Sequence, residues 1–96
     1  MDYGQEEVDL FSAIALLTSS REIEAFLADL CTPAEVKAFV ERWRVCQLLD
    51  RDASSYREIR ESTGASLTTI GRVARFLRNE KHGGYRNLLK KIKQEK

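Results

Sequence analysis

The segment 67–78 carries the side chains with the clearest chemistry in this sequence. Its apolar residues recur at three- and four-residue intervals, which predicts a helix with those residues on one face. The other face then presents hydroxyl, glycyl and guanidinium groups. Guanidinium groups bind phosphate oxygens, and a threonine can contact a base edge through its hydroxyl or methyl group. The inward residues are Ile70, Val73, Ala74 and Leu77, and the outward ones are Thr68, Gly71, Arg72, Arg75 and Arg78.

The surrounding residues form a helix-turn-helix pattern across 54–77. Ser55 and Glu58 have the S-x-x-E spacing of a capping box, which marks a helix start. Gly64 suits a turn that needs a positive φ, and Ser66 can cap the second helix. Because such a unit places its second helix in the DNA major groove, the pattern predicts double-stranded DNA as a partner.

Within this motif, the first turn of the second helix is expected to read bases. The base-reading candidates are Leu67, Thr68 and Gly71. A glycine inside a helix costs about 1 kcal/mol relative to alanine, so Gly71 needs a reason. That reason is either close approach to DNA or to another backbone, or relief of crowding, and the sequence leaves both open. The residues expected to hold phosphates and fix the register are Ser55, Tyr56, Arg57, Arg60, Thr69, Arg72 and Arg75.

Charge is divided unequally along the chain. Residues 1–50 carry four Lys/Arg and ten Asp/Glu, whereas residues 51–96 carry twelve and five. We therefore expect DNA to bind the basic half, with the acidic half facing away. Any single arginine there could also be an ordinary solvated charge. Six cations outside the motif add nonspecific DNA affinity or solubility: Lys81, Arg86, Lys90, Lys91, Lys93 and Lys96.

Helical periodicity runs along nearly the whole chain, which predicts an all-α single domain over residues 1–96. A domain this small buries a limited fraction of its surface, so we expect dimerisation to stabilise it. The third helix is apolar around most of its girth, so it should be central, and Trp43 should lie in the core or the dimer interface. The predicted helices span about 6–18, 20–30, 33–49, 55–62, 66–79 and 84–94.

Several classes of site and location are not expected. Cys31, Cys46 and His82 lack the spacing of zinc ligands, so the two cysteines are interpreted as buried free thiols in a reducing compartment. The sequence shows no pairing of a nucleophile with a base that would indicate an enzyme. We also expect no metal and no cofactor. The chain lacks an apolar run of about 18 residues, and its acidic start does not resemble a leader, which together predict a cytoplasmic protein without a membrane span.

Three motifs carry a resemblance to a known family: L-C-T-P-x-E, E-R-W-R-V and T-G-A-S-x-T-T-I-x-R. They resemble the Trp-repressor superfamily, and within it the YerC/YecD group, across roughly residues 10–95. The resemblance implies a six-helix Trp-repressor-like fold and an intertwined homodimer. Its N-terminal and central helices, at about residues 6–50 here, would be the dimerisation helices that share one core. It also implies a sequence-specific transcriptional regulator, most often a repressor.

The resemblance further implies where a tryptophan co-repressor would bind. Thr32, Arg42 and Arg72 match the threonine and the two arginines of the family's effector site. Val73 and Phe76 stand where the family has a glycine and a small serine, and we expect their larger side chains to fill the site. Tryptophan is therefore not expected as a ligand, the effector is left unidentified, and Phe76 is a candidate for a built-in substitute.

One alternative from another functional class stays open. The chain could be a protein-interaction or structural module that keeps the helix-turn-helix shape without specific DNA binding. A neutral or acidic outer face on the second helix would indicate such a module. The arginines at 72, 75 and 78 favour the DNA-binding interpretation instead.

Overall fold

The computed structural model describes residues 2–51 and 55–95, which form six α-helices and no strand. The all-α prediction is therefore confirmed. Ser54, placed at the start of the helix-turn-helix pattern, and Lys96, one of the terminal cations, lie outside the described residues. The helices are α1 (Gln5–Ile14), α2 (Ser20–Leu30), α3 (Pro33–Arg51), α4 (Tyr56–Thr63), α5 (Leu67–Arg78) and α6 (Gly84–Gln94).

The first helix is shorter than the sequence predicted. A helix over 6–18 was wrong beyond Ile14, where α1 ends. The backbone N–H of Leu17 donates to Ile14 O at 3.0 Å, which closes a tight three-residue turn in place of a further α-helical turn. The N–H of Thr18 donates to Glu22 Oε1 at 3.0 Å, so Thr18 already belongs to the start of the next helix. Local side-chain bonds of this kind compete with helix continuation.

Caps fix the starts of α2 and α3. The N–H of Glu22 donates to Ser19 Oγ at 3.1 Å. At α3, Thr32 N–H donates to Glu35 Oε1 at 2.8 Å and Glu35 N–H donates to Thr32 Oγ1 at 3.2 Å, which is a reciprocal capping box. Pro33 takes the first helical position, where its missing N–H would have no partner.

The chain divides into two compact units, Met1–Val36 and Lys37–Lys96. In the first unit, neither α1 nor α2 contains a buried residue. The second unit holds the hydrophobic core, with Trp43, Leu48 and Tyr85 packed against it. The core residues come from α3 through α6: Val45, Cys46, Leu49, Ile59, Ala65, Ile70, Val73, Ala74, Leu77 and Leu89.

The central helix α3 is buried over only part of its length. Its buried residues are Val45, Cys46 and Leu49. Phe39 and Val40 are exposed in the single chain, so for the first half of the helix its predicted coverage by more than one neighbour stays a prediction. On α3, the core residues lie in the last two turns of the helix, so Phe39 and Val40 are left uncovered in the single chain.

The two cysteines differ in burial. Both are free thiols, but Cys46 is fully buried and Cys31 is only half-buried at the end of α2. Burial, reinforced by the charge of Asp50, raises the pKa of the Cys46 thiol to about 11. Cys46 therefore behaves as a small hydrophobic residue, as predicted, whereas Cys31 is only partly covered.

The described residues contain neither a membrane-spanning helix nor a cluster of metal ligands. Among residues 2–51 and 55–95, no helix is both long enough and apolar enough to cross a membrane. The same ranges bring together no group of three or more His, Cys, Asp or Glu side chains that could hold a metal ion.

Candidate nucleic-acid interface

Both helices of the helix-turn-helix begin at serine caps. At α4, Ser55 N–H donates to Glu58 Oε1 at 3.0 Å and Glu58 N–H donates to Ser55 Oγ at 3.1 Å, which confirms the predicted capping box. At α5, Thr69 N–H donates to Ser66 Oγ at 3.1 Å, which confirms the second predicted cap. A serine cap is worth about 1 kcal/mol relative to alanine, so these bonds fix where the two helices start.

The turn between α4 and α5 depends on Gly64. This residue has φ +76°, the left-handed conformation that favours glycine, as the sequence predicted. Its N–H donates to Arg60 O at 2.9 Å and closes the last turn of α4. Next to it, Thr63 Oγ1 donates to Ile59 O at 2.8 Å and accepts from Ala65 N–H at 3.1 Å. The turn therefore has a defined shape that sets the direction of α5.

The two faces of α5 separate as the spacing predicted. Its inward residues Ile70, Val73, Ala74 and Leu77 are all buried. The outward residues are exposed, and Thr69 is half-buried with its Oγ1 accepting from Ser66 Oγ at 3.1 Å. The exposed face consists of Leu67, Thr68, Gly71, Arg72, Arg75 and Arg78.

Gly71 is not explained by crowding inside the chain. A Cβ atom placed on Gly71 would meet no heavy atom within 4 Å among the described residues. Any alanine at this position would therefore fit without displacing a neighbour. Of the two reasons left open by the sequence, relief of crowding within the chain is removed, and close approach of another molecule stays.

The phosphate candidates on α4 lie at the surface. Ser55, Tyr56, Arg57 and Arg60 are all exposed. Arg57 Nε lies 3.3 Å from Glu61 Oε1, and both side chains are mostly exposed. An exposed pair one helical turn apart contributes only about 0.3–0.5 kcal/mol, so it would not compete strongly with a phosphate group.

The residues matched to an effector site fall in both units of the chain. Thr32 belongs to the first unit, where it caps α3. Val73 is part of the core of the second unit. Phe76 is half-buried, and the guanidinium carbon of Arg72 lies 4.3 Å from its ring centroid. The structure thus brings Arg72 and Phe76 into direct contact.

Tyr85 was not identified as a site residue from the sequence. It is half-buried, and the pKa of its phenol is raised, chiefly by burial and also by Cys46. The positive charges of Arg42 and Arg72 act on this pKa in the opposite direction. Spacing could show that the chain turns after Gly83, but not which side chains the turn brings to Arg72.

Arg86 has a structural role that the sequence did not indicate. Counted there as a cation for DNA affinity or solubility, it donates from Nη1 to Leu77 O at 2.8 Å and from Nη2 to Glu80 O at 2.7 Å. These bonds satisfy carbonyl groups at the end of α5, as cations near helix C-termini often do. Lys93, another of those cations, pairs with Asp50 at 2.9 Å.

Comparison with known proteins supports one family. The family model described as Trp repressor protein matches residues 6–93. The chain is 36% identical over 91 residues to a Bacillus subtilis (strain 168) protein named YerC, covering 95% of this chain and 86% of that one. The crystal structure of a TrpR like protein from Eubacterium eligens ATCC 27750 matches with a TM-score of 0.84 and 35% identity, covering 93% and 90% of the two chains. A second crystal structure, of a Staphylococcus aureus protein, gives 0.86 and 31%, covering 95% and 89%.

These matches extend over nearly the whole chain and agree with the six-helix fold. They confirm the resemblance that the three sequence motifs carried. The chain belongs to the Trp repressor protein family.

Proposed function

We propose that this protein is a sequence-specific, double-stranded DNA-binding transcriptional regulator that acts as a homodimer and represses. One observation carries the proposal. The outer face of α5 exposes Leu67, Thr68 and Gly71 beside the exposed cations Arg72 and Arg75. A capped helix that presents small base-reading residues next to guanidinium groups has the chemistry needed to enter the major groove.

Two further features support DNA as the partner. The start of α4 exposes a hydroxyl, a phenol and two arginines, which suits phosphate groups on either side of the groove. The family whose model matches is named for a repressor protein, which favours regulation over catalysis. A regulator of this kind acts where the chromosome is, so the proposed location is the cytoplasm.

Exposed apolar side chains support a homodimer. Residues of this kind lie on all of the first three helices, and a small single chain gains much by covering them with a second copy. A two-fold dimer would present two copies of α5 to half-sites about 34 Å apart. The half-exposed residues are Val8, Phe11, Ile14, Ile23, Leu30, Phe39 and Val40.

Repression follows from occupancy. A dimer bound across an inverted repeat excludes other proteins from the same stretch of DNA, and it needs no chemistry to do so. We propose that neither a metal nor an organic cofactor takes part, and that tryptophan is not the effector.

The same exposed apolar residues on α1 and α2 are the observation that favours the alternative, a protein-interaction module that does not read DNA. The two functions differ in one measurable property. Only the DNA-binding function requires the exposed face of α5 to distinguish base sequences.

The decisive experiment selects bound duplexes from a random DNA pool, with competitor DNA at near-physiological salt. We expect an enriched inverted repeat whose half-sites lie about one helical turn apart. If no sequence is enriched and binding disappears as salt rises, only phosphate contact occurs and the proposal fails.

Two variants assign the roles of the two sets of contacts. Thr68→Ala should change the preferred base at one position of each half-site, with a discrimination of about 1–3 kcal/mol. Arg57→Ala should weaken binding to all sequences alike and reduce its salt dependence. Arg21→Ala removes the same charge from α2 in the acidic half and serves as the matched control. An equal effect of Arg21→Ala and Arg57→Ala would argue against the proposed face.

A further inference from the structure

The half-buried ring of Phe76 contacts two of the cations on the outer face of α5. The guanidinium carbon of Arg72 lies 4.3 Å from the ring centroid, and that of Arg75 lies 4.9 Å from it. Both distances fall within the range of about 6 Å over which a cation is attracted to an aromatic face. One ring therefore contacts two positive groups of the same helix face.

The turn after α5 contacts the same ring. The His82 ring centroid lies 5.5 Å from that of Phe76, with the ring planes 41° apart. Arg86 donates to Glu80 O at 2.7 Å, which ties this turn to α6. Arg75 Nε also lies 3.2 Å from Glu80 Oε1, so Arg75 is held by both the ring and the turn.

Arginine side chains that are already ordered in the free protein favour DNA binding. A long side chain that is ordered only on contact loses conformational freedom at that moment, and this loss opposes association. Arg72 and Arg75 already have a partner in Phe76, so less freedom is lost when they contact phosphates. Their exposure leaves them accessible to a ligand on the outer face of α5.

We propose that Phe76 is a positioning residue that acts as a built-in ligand of α5, holding Arg72 and Arg75 for DNA so that binding requires no small-molecule effector. The inference rests on the proposed DNA-binding function. Arg72, which the family resemblance assigns to effector binding, is thus in contact with an aromatic ring of its own chain.

The test uses the duplex selected above and three full-length proteins: wild type, Phe76→Leu and Phe76→Tyr. Phe76→Leu keeps an apolar side chain but removes the ring, whereas Phe76→Tyr keeps the ring and is the matched control. Phe76→Leu should raise the Kd about tenfold, the cost of ordering two long side chains on binding, and Phe76→Tyr should stay within about threefold of wild type. Thermal unfolding of all three proteins shows whether each is folded.

Salt dependence separates positioning from general support of the fold. If Phe76 aligns the two arginines, the slope of log Kd against log salt should fall in Phe76→Leu by about one for each phosphate group that is no longer bound. In addition, exhaustively dialysed wild-type protein should bind the duplex with the same Kd, within about twofold, with and without millimolar L-tryptophan, because the ring already occupies one side of Arg72.

The outcomes are distinct. If wild type binds the duplex but Phe76→Leu has the same Kd and salt slope, the inference is overturned and the proposed function stands. If L-tryptophan tightens wild-type binding tenfold or more, the inference is likewise overturned, even where Phe76→Leu fails to fold. If wild type selects no sequence at all, the proposed function fails and this inference fails with it.

Discussion

The pair α1–α2 and the pair α4–α5 have similar helix lengths, yet they differ in what they bury. Both pairs contain a serine cap that accepts a backbone N–H at 3.1 Å. However, no residue of α1 or α2 is buried, whereas α4 and α5 together bury five. Capping sets where a helix begins, but tertiary burial supplies most of its stability. One pair is stabilised by its own chain, and the other presents its apolar residues to a second copy under the proposed dimer.

The largest expected effect comes from the same substitution in each pair. Ile70 is fully buried, so Ile70→Ala should lower the free energy of unfolding by about 2–5 kcal/mol at every protein concentration. Ile23 is 41% exposed in the single chain, so Ile23→Ala should act through association and have an effect that varies with protein concentration. Urea unfolding of both variants at several concentrations checks this. A loss below about 1 kcal/mol for Ile70→Ala would contradict the assigned core.

A charge on α2 tests the proposed dimer directly. Ile23→Asp should raise the dissociation constant of the homodimer at least about thirtyfold, or roughly 2 kcal/mol, because a carboxylate would have to be buried in an apolar interface. Sedimentation velocity over a dilution series measures it. Glu24→Ala, on the same helix but at an exposed charged position, is the control and should change dissociation little. A monomeric wild-type protein would contradict the proposal that a second copy covers the apolar residues of α1 and α2.

Two glycines of the helix-turn-helix should respond to alanine in opposite directions. Gly64→Ala forces a side chain into a positive φ and should destabilise the protein by about 1–2 kcal/mol. Gly71→Ala places a methyl group in open space within a helix and should stabilise it by about 1 kcal/mol. Thermal unfolding gives both signs. Gly71→Ala should also weaken binding to the selected duplex if DNA approaches this backbone, and unchanged affinity would remove Gly71 from the base-reading set.

The smallest expected effect is the pH dependence of the Glu22 carboxylate at the start of α2. Hydrogen bonds from Thr18 and Ser19 lower the pKa of Glu22 below its ordinary value of 4.5. Because the pKa of Glu22 is lowered in the folded state, its carboxylate contributes to folding stability above the ordinary pKa. This contribution is lost as the pH falls through the lowered pKa. The amide resonance of Thr18 should therefore shift in that acidic range in wild type and not in Glu22→Gln. A shift of equal size in both proteins would assign the titration to another group.

Much of the fold follows from local rules that a sequence displays openly. Ser55, Gly64 and Ser66 predicted caps and a turn that the structure confirms, because each of these features involves residues only a few positions apart. The predicted end of α1 was wrong because two local sequence signals competed there. Apolar periodicity continued to Leu17, whereas Thr18 donates to the Glu22 side chain at the start of α2.

The candidate site was predictable only in part. Helical spacing correctly placed Thr68, Gly71 and Arg72 on the outside of α5. It could not show that Phe76 contacts His82, because that contact depends on the path of the turn after α5. Nor could it show that Arg86 is engaged with backbone carbonyls, since an arginine in a basic segment has no sequence signature that separates a cap from a surface cation.

The open volume at Gly71 has a consequence for how such a regulator can change its target. Apart from the adjacent residues and the helix's own backbone, no atom of the described chain lies within 4 Å of the missing Cβ, so the fold leaves room for a Cβ there. A serine, asparagine or glutamine at this position would extend from a rigid helix toward whatever molecule approaches, carrying new hydrogen-bonding groups. Under the proposed function, residue 71 is therefore a position at which a polar substitution could alter the preferred DNA sequence while the folded core is retained.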